Sequence, residues 1–329
     1  ICFIYHFVRK IKADNFPLAE AYLNILRKNY PDDMSIPAVY YHLGNYFRDK
    51  EMFQEAADNY EIVVQTYPDH SLVRDSALGN AICLDKLGFI AQAAEYIDFI
   101  DQRWPNFYEN DLSYLTVSGA IYFKNDMLEL ARDRYWKYYN ILPNAPDADI
   151  VLARLGDIYM RNDPPLLEAA TEVYSRAATL YPDSEGGLIS QMRLAENGVL
   201  DNPSTQDMFT VFDRPYSETP KEVYRRIVLE YPDSMLAPLA QLKLAMWYLY
   251  NGKTLDAIKA VDQFKRRYSS SPLLANAEAT ALEAFKHNPE GFDLLVTDMA
   301  MPKMSGLDLA EEILRLRPAF PIVLCTGFD

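Results

Sequence analysis

An aromatic residue followed by proline recurs along this chain and does most to restrict its fold. The pair stands at Tyr30-Pro31, Tyr67-Pro68, Trp104-Pro105, Tyr181-Pro182 and Tyr231-Pro232, with Leu142-Pro143 and Tyr268 as variants. The steps between copies are 37, 37, 38, 39, 50 and 37 residues. Proline cannot continue a helix, so each pair closes a helical unit. One unit of this length cannot bury its apolar face alone, but stacked copies can. The period therefore predicts a mainly α chain built as an α-solenoid.

The clearest unit reads PAVYYHLGNYFRDKEMFQEAADNYEIVVQTYPD. Tyr40, Leu43, Gly44 and Phe47 share one face of a first helix at spacings of three and four. A polar turn, Arg48-Asp49-Lys50, separates it from a second helix with Ala56, Tyr60 and Val63 on its inner face. Gly119, Tyr122, Ala131, Tyr135 and Pro143 keep the same register, as do Leu244, Ala245, Tyr248, Ala257 and Phe264. Leu155, Gly156 and Tyr159 open a copy lengthened at RNDPPLL, and Ala81 and Ala93 mark a weaker one. Small residues at Gly44 and Ala56 are expected to let the two helix backbones approach.

These positions resemble the tetratricopeptide repeat (TPR) over residues 1–272, about seven helix pairs, with residues 1–13 as a first helix. The resemblance implies a right-handed solenoid of antiparallel helix pairs whose first helices line a concave groove that binds a protein or peptide. Tyr41, Asn45, Arg48, Asn80 and Lys124 are candidate groove residues by helical phase. The Tyr-Pro-Asp endings are also similar to those of bacterial envelope TPR proteins.

One unit is stretched by DNPSTQDMFTVFDRPYSETP, residues 201–220. It reads either as an ordered loop packed down by Phe209 and Phe212 or as a binding loop or lid. Thr219 before Pro220 has the look of a helix N-cap.

From residue 273 the pattern changes. FDLLVTD reads as a short buried strand, GLDLAEEILRLRP as an amphipathic helix and PIVLCTGFD as a second strand, a parallel βαβ unit. Asp298, Met301-Pro302, Ser305-Gly306 and the Leu-Cys-Thr-Gly run resemble the response-regulator receiver domain of two-component phosphorelays. The resemblance implies that Asp298 accepts phosphoryl, that Asp298 and the Ala300 carbonyl contribute to a Mg²⁺ site, and that Thr326 is the switch residue. The family's acidic pair would fall near Asp256 and Asp262, on a predicted TPR helix, and the sequence ends before the strand carrying the family's lysine. Residues 273–329 are therefore expected to be a truncated receiver that docks on the last TPR helices and needs Mg²⁺ only if active.

Composition narrows the function classes. A net charge of −15, with no basic cluster longer than Lys265-Arg266-Arg267, disfavours nucleic acid and anionic membrane. It fits either solubility or a basic partner. The apolar opening ICFIYHFV is too short to span a membrane, and its lack of Met suggests a start lying upstream. Cys2, Cys83 and Cys325 have no metal or redox spacing, and no triad, P-loop or HExxH pattern indicates an enzyme. The cellular compartment stays open: cytoplasmic if the receiver governs, envelope-associated if the repeats do. Two functions remain, an interaction scaffold with a non-functional tail, or a response regulator phosphorylated at Asp298.

Overall fold

The computed structural model describes residues 16–31, 33–214, 218–287, 289, 295–298 and 306–325. The expected helix at 1–13, Ala300 and Thr326 lie outside them. The chain forms two compact units, 1–145 and 146–329.

Unit 1 is built of antiparallel helix pairs. Helix α1 (Phe16–Asn29) precedes the pair α2 (Ile36–Asp49) and α3 (Phe53–Thr66). The next pairs are α4 (Val73–Leu87) with α5 (Ile90–Arg103), and α6 (Ser113–Lys124) with α7 (Leu128–Ile141). A single 3-10 turn, Phe107–Glu109, leads into α6. The α2 helix carries Pro37 in its first turn, where a missing N–H costs nothing, and buries Ile36, Val39, Tyr40, Leu43 and Gly44.

The three pairs of this unit, and the connection at Gly252, reverse at one equivalent position. Glu51 and Asp126 adopt φ of 60° and 58°, and Gly88 and Gly252 adopt 85° and 67°. A left-handed residue is what allows the second helix to fold straight back on the first.

Gly44 behaves differently from expectation. It accommodates a side chain, not a backbone: a Cβ there would stand 2.6 Å from Tyr60 Cε1. A Cβ on Gly79 of α4 would likewise stand 2.6 Å from Cζ of the same ring. Tyr60 is thus wedged between two first helices, with its hydroxyl donating to Asn45 Oδ1 at 2.7 Å.

Unit 2 repeats the plan with α8 (Ala148–Arg161) and α9 (Leu167–Leu180), then α10 (Glu185–Glu196), α11 (Thr205–Phe212) and α12 (Glu218–Glu230). The pair α13 (Ala237–Tyr250) and α14 (Thr254–Arg267) and the helix α15 (Leu274–His287) follow. The stretch at 201–220 is not simply a loop. Ser204 and Asp207 form a capping box that starts α11, and Phe212 is buried, so the segment is packed down as expected of an ordered insert. Thr219 lies inside α12 and does not cap it.

The aromatic–Pro endings also bond to one another. The Tyr231 hydroxyl donates to Asp183, and the Tyr268 hydroxyl donates to the Pro232 carbonyl at 3.1 Å, each reaching the ending of the preceding unit.

Unit 2 also holds buried charges. Lys243 Nζ meets Glu196 Oε1 at 2.6 Å with both side chains fully buried. Tyr224 donates to the same oxygen at 2.8 Å. Arg193 Nε and Arg154 Nη1 each stand 3.0 Å from Asp157, which also accepts from the Tyr174 hydroxyl at 2.7 Å.

The tail forms β1 (Leu295–Asp298), α16 (Gly306–Leu316) and β2 (Ile322–Cys325). The two strands pair in parallel, as expected, with Asp298 opposite Cys325. Leu282 and Phe285 of α15 form one buried cluster with Ile313 of α16 and Phe320. The phenyl rings of Phe285 and Phe320 meet edge-on at 5.0 Å.

Candidate functional site

The first helices α2, α4 and α6 of unit 1, with the 3-10 turn, enclose a cavity of about 430 Å³. Tyr41 and Arg48 come from α2, Leu78 and Ile82 from α4, and Val117 from α6. These side chains are half-buried, so the wall is apolar but open to solvent. Helical geometry explains the set: residues seven apart return to one face, and Tyr41 and Arg48 are so spaced.

The charges in the wall differ in what they already hold. Arg74 lies over the Phe107 ring at 4.5 Å and pairs with Asp75 at 3.1 Å. Asp111 accepts from the Ser113 N–H and hydroxyl at 3.0 and 2.6 Å, fixing the start of α6. Arg48 makes no ion pair or hydrogen bond among the described residues. Its positive charge is felt nearby, where it opposes the burial that pushes the Cys83 thiol up to about 11. The cavity therefore offers an unpaired guanidinium beside apolar surface.

The other three candidates lie elsewhere. Asn45 accepts the Tyr60 hydroxyl, Lys124 Nζ holds both Asp85 oxygens at 2.7 Å, and Asn80 lines a cavity on the opposite side of α4. Arg74, Leu78 and Val117 were not singled out by sequence. A signal for them existed, since Leu78 and Ile82 sit 37 residues after Tyr41 and Asn45 in the repeat register.

The family model described as "Tetratricopeptide repeat" matches residues 38–70 and 239–271. These are α2 with α3, and α13 with α14. These two helix pairs match the tetratricopeptide repeat. Repeats of this family suggest a protein-interaction scaffold. A solved tetratricopeptide repeat protein from Parabacteroides merdae ATCC 43184 shares the fold at a TM-score of 0.56 and 11% identity, over 86% of this chain and 97% of that one. A putative kinesin light chain with nearly identical TPR-like repeats from Podosopora anserina aligns at 14% identity over 73% of this chain and 99% of that one. Its TM-score of 0.38 is too low to argue from. A search of curated proteins gave no match.

The model described as "Response regulator receiver domain" matches residues 257–329. Receiver sequence thus follows the TPR region and overlaps it, because 257–271 is matched by both families. In the fold that shared stretch lies in α14 as far as Arg267, with Ala257 and Phe264 buried in the pair with α13. Asp256 is exposed there, and Asp262 pairs with Arg266 at 2.8 Å. Asp298 ends β1. No helix among the described residues is long and apolar enough to cross a membrane.

Proposed function

We propose that the chain is a non-catalytic interaction scaffold whose α2–α4–α6 cavity takes a segment of a partner protein, with a partner carboxylate opposite Arg48. The observation that carries this reading is the unpaired guanidinium of Arg48 at the edge of the half-buried surface formed by Tyr41, Leu78, Ile82 and Val117. A carboxylate there would gain a charge-assisted, bidentate hydrogen bond, and apolar side chains flanking it would bury against the wall. The test is selection of peptides from a displayed random library on the full chain, followed by titration. Selected peptides should carry Asp, Glu or a free C-terminus, and Arg48→Met should weaken them about tenfold. Peptides that bind Arg48→Met and Leu78→Asp as well as they bind the parent would remove this reading.

The receiver match favours a second reading, phosphoryl transfer to Asp298 at the end of β1. We rank it lower because the family's acidic pair falls on α14, where Asp256 faces solvent and Asp262 is held by Arg266. That donor set does not fit a Mg²⁺ site. Incubation of the full chain with Mg²⁺ and acetyl phosphate should leave its intact mass unchanged. A phospho-adduct lost in Asp298→Asn would establish the second reading instead.

A further inference from the structure

A second cavity of unit 1, of about 600 Å³, lies on the other side of α4, between the second helices α3 and α5. Asp58, Glu61 and Glu95 line it, and no Lys, Arg or His is among the residues that form its wall. Gln54 donates to Asp58 at 2.9 Å and Gln65 donates to Glu61, so these two amides are turned toward carboxylates of the wall. Phe89, Tyr96 and Phe99 supply aromatic surface, and Phe89 is half exposed.

An acidic cleft of this kind would by itself be an ordinary solvated face. What distinguishes it is Asn80. This side chain lines the cavity from α4 and is 2% exposed, yet its Oδ1 has no hydrogen-bond partner. The amide oxygen is thus an unmet acceptor in the cavity wall. A buried acceptor without a donor costs about 1–3 kcal/mol. The cavity is thus short of a donor and of positive charge together, within a volume suited to one large side chain and its flanks.

We propose that this cavity receives an arginine side chain from a peptide segment of a partner protein, whose guanidinium donates to Asn80 Oδ1 and to the lining carboxylates. Guanidinium carries five donors in a planar fork, so it can serve an amide oxygen and a carboxylate at once. It is weakly hydrated and stacks on aromatic faces, which Tyr96, Phe89 and Phe99 provide. Glu61 and Glu95 are exposed and steer the cation in. The site is formed mainly by second helices and lies away from the Arg48 cavity, so the two can fail independently.

The test uses the full chain and pooled, end-capped octapeptides with arginine fixed at the centre. Parallel pools carry citrulline or lysine at that place. Hydrogen–deuterium exchange should show protection at 54–65 and 80–99 with the arginine pool, and the tightest member should bind about tenfold more weakly when its arginine is citrulline. Glu61→Gln with Glu95→Gln, both at exposed positions, should weaken it to a similar degree without changing the melting temperature. Equal binding by the citrulline or lysine pool overturns the proposal. So does protection confined to 41–48 and 113–117, which would instead support the Arg48 cavity. Absence of any arginine-pool binding overturns it too, and leaves Asn80 with water as its donor.

Discussion

The Tyr60 ring fills the space in which a side chain at Gly44 would begin, 2.6 Å from where the Cβ would stand. A Cβ on Gly79 would meet the same ring at 2.6 Å, so the ring is hemmed in from two helices. Gly44→Ala should therefore destabilise unit 1 by about 1–3 kcal/mol, the range for overpacking a tight core. Gly119→Ala should cost less, since its Cβ would meet Tyr135 at 3.0 Å and a few tenths of an ångström relieves it. Urea denaturation of both variants, and of Gly44→Ala with Tyr60→Leu, checks this. The double variant should lose less than the sum of its parts.

Glu51 holds the left-handed turn position that Gly88 and Gly252 hold in other pairs. A side chain there is strained, and glycine is not. Glu51→Gly should raise stability by roughly 0.5–1 kcal/mol, against the destabilisation glycine causes at most exposed sites. A melting temperature that falls would show that the turn is not under this constraint.

The Lys243–Glu196 pair is wholly buried, and Glu196 Oε2 lacks a hydrogen-bond partner. Removing one charge strands the other. Lys243→Met should destabilise the protein by about 3–5 kcal/mol, and adding Glu196→Gln should recover part of that. Burial lowers the Lys243 ammonium below the usual lysine range, while Glu196 opposes the shift. Denaturation of these two variants and of Glu196→Gln alone, at one pH, measures the coupling.

Glu278 offers a pH effect of defined sign. Its carboxylate is 2% exposed and faces Lys265 Nζ at 3.3 Å. Burial raises its pKa above the usual 4.5, against the pull of Lys265. The folded state then holds the proton more tightly than the unfolded one, so this group's contribution falls as pH rises from 4.5 through the raised folded value. Glu278→Gln should raise the melting temperature at neutral pH and make little difference below pH 4.5. An equal effect at both would rule out titration of Glu278 as the cause.

Much of this fold was legible because its punctuation is chemical. Proline closes each unit, and the small position that receives a tyrosine recurs at Gly44, Gly119 and Gly156. The Asn45 and Asp157 roles escaped because helical phase places the residue after the glycine at the border of core and groove. Each in fact accepts the hydroxyl of the tyrosine packed on its neighbour. Asn80 was assigned to the groove for the same reason, and it turns to the other side of α4. The charges around Glu196 come from units distant in sequence, although Arg193 at the small position, 37 residues after Gly156, was a visible departure. The short helix α11 was hidden by the Pro, Ser and Asp residues that flank it, while Ser204 and Asp207 carried its capping signal.

The central claim is that a partner segment enters between α2, α4 and α6. Photo-crosslinking tests it most directly, with p-benzoylphenylalanine placed at Ser113 beside the cavity or at Leu180, an exposed control in unit 2. A peptide selected on the full chain should crosslink at 113, lose that crosslink in Arg48→Met, and give none at 180. Equal crosslinking at both positions, or a yield at 113 unchanged by Arg48→Met, would contradict the account.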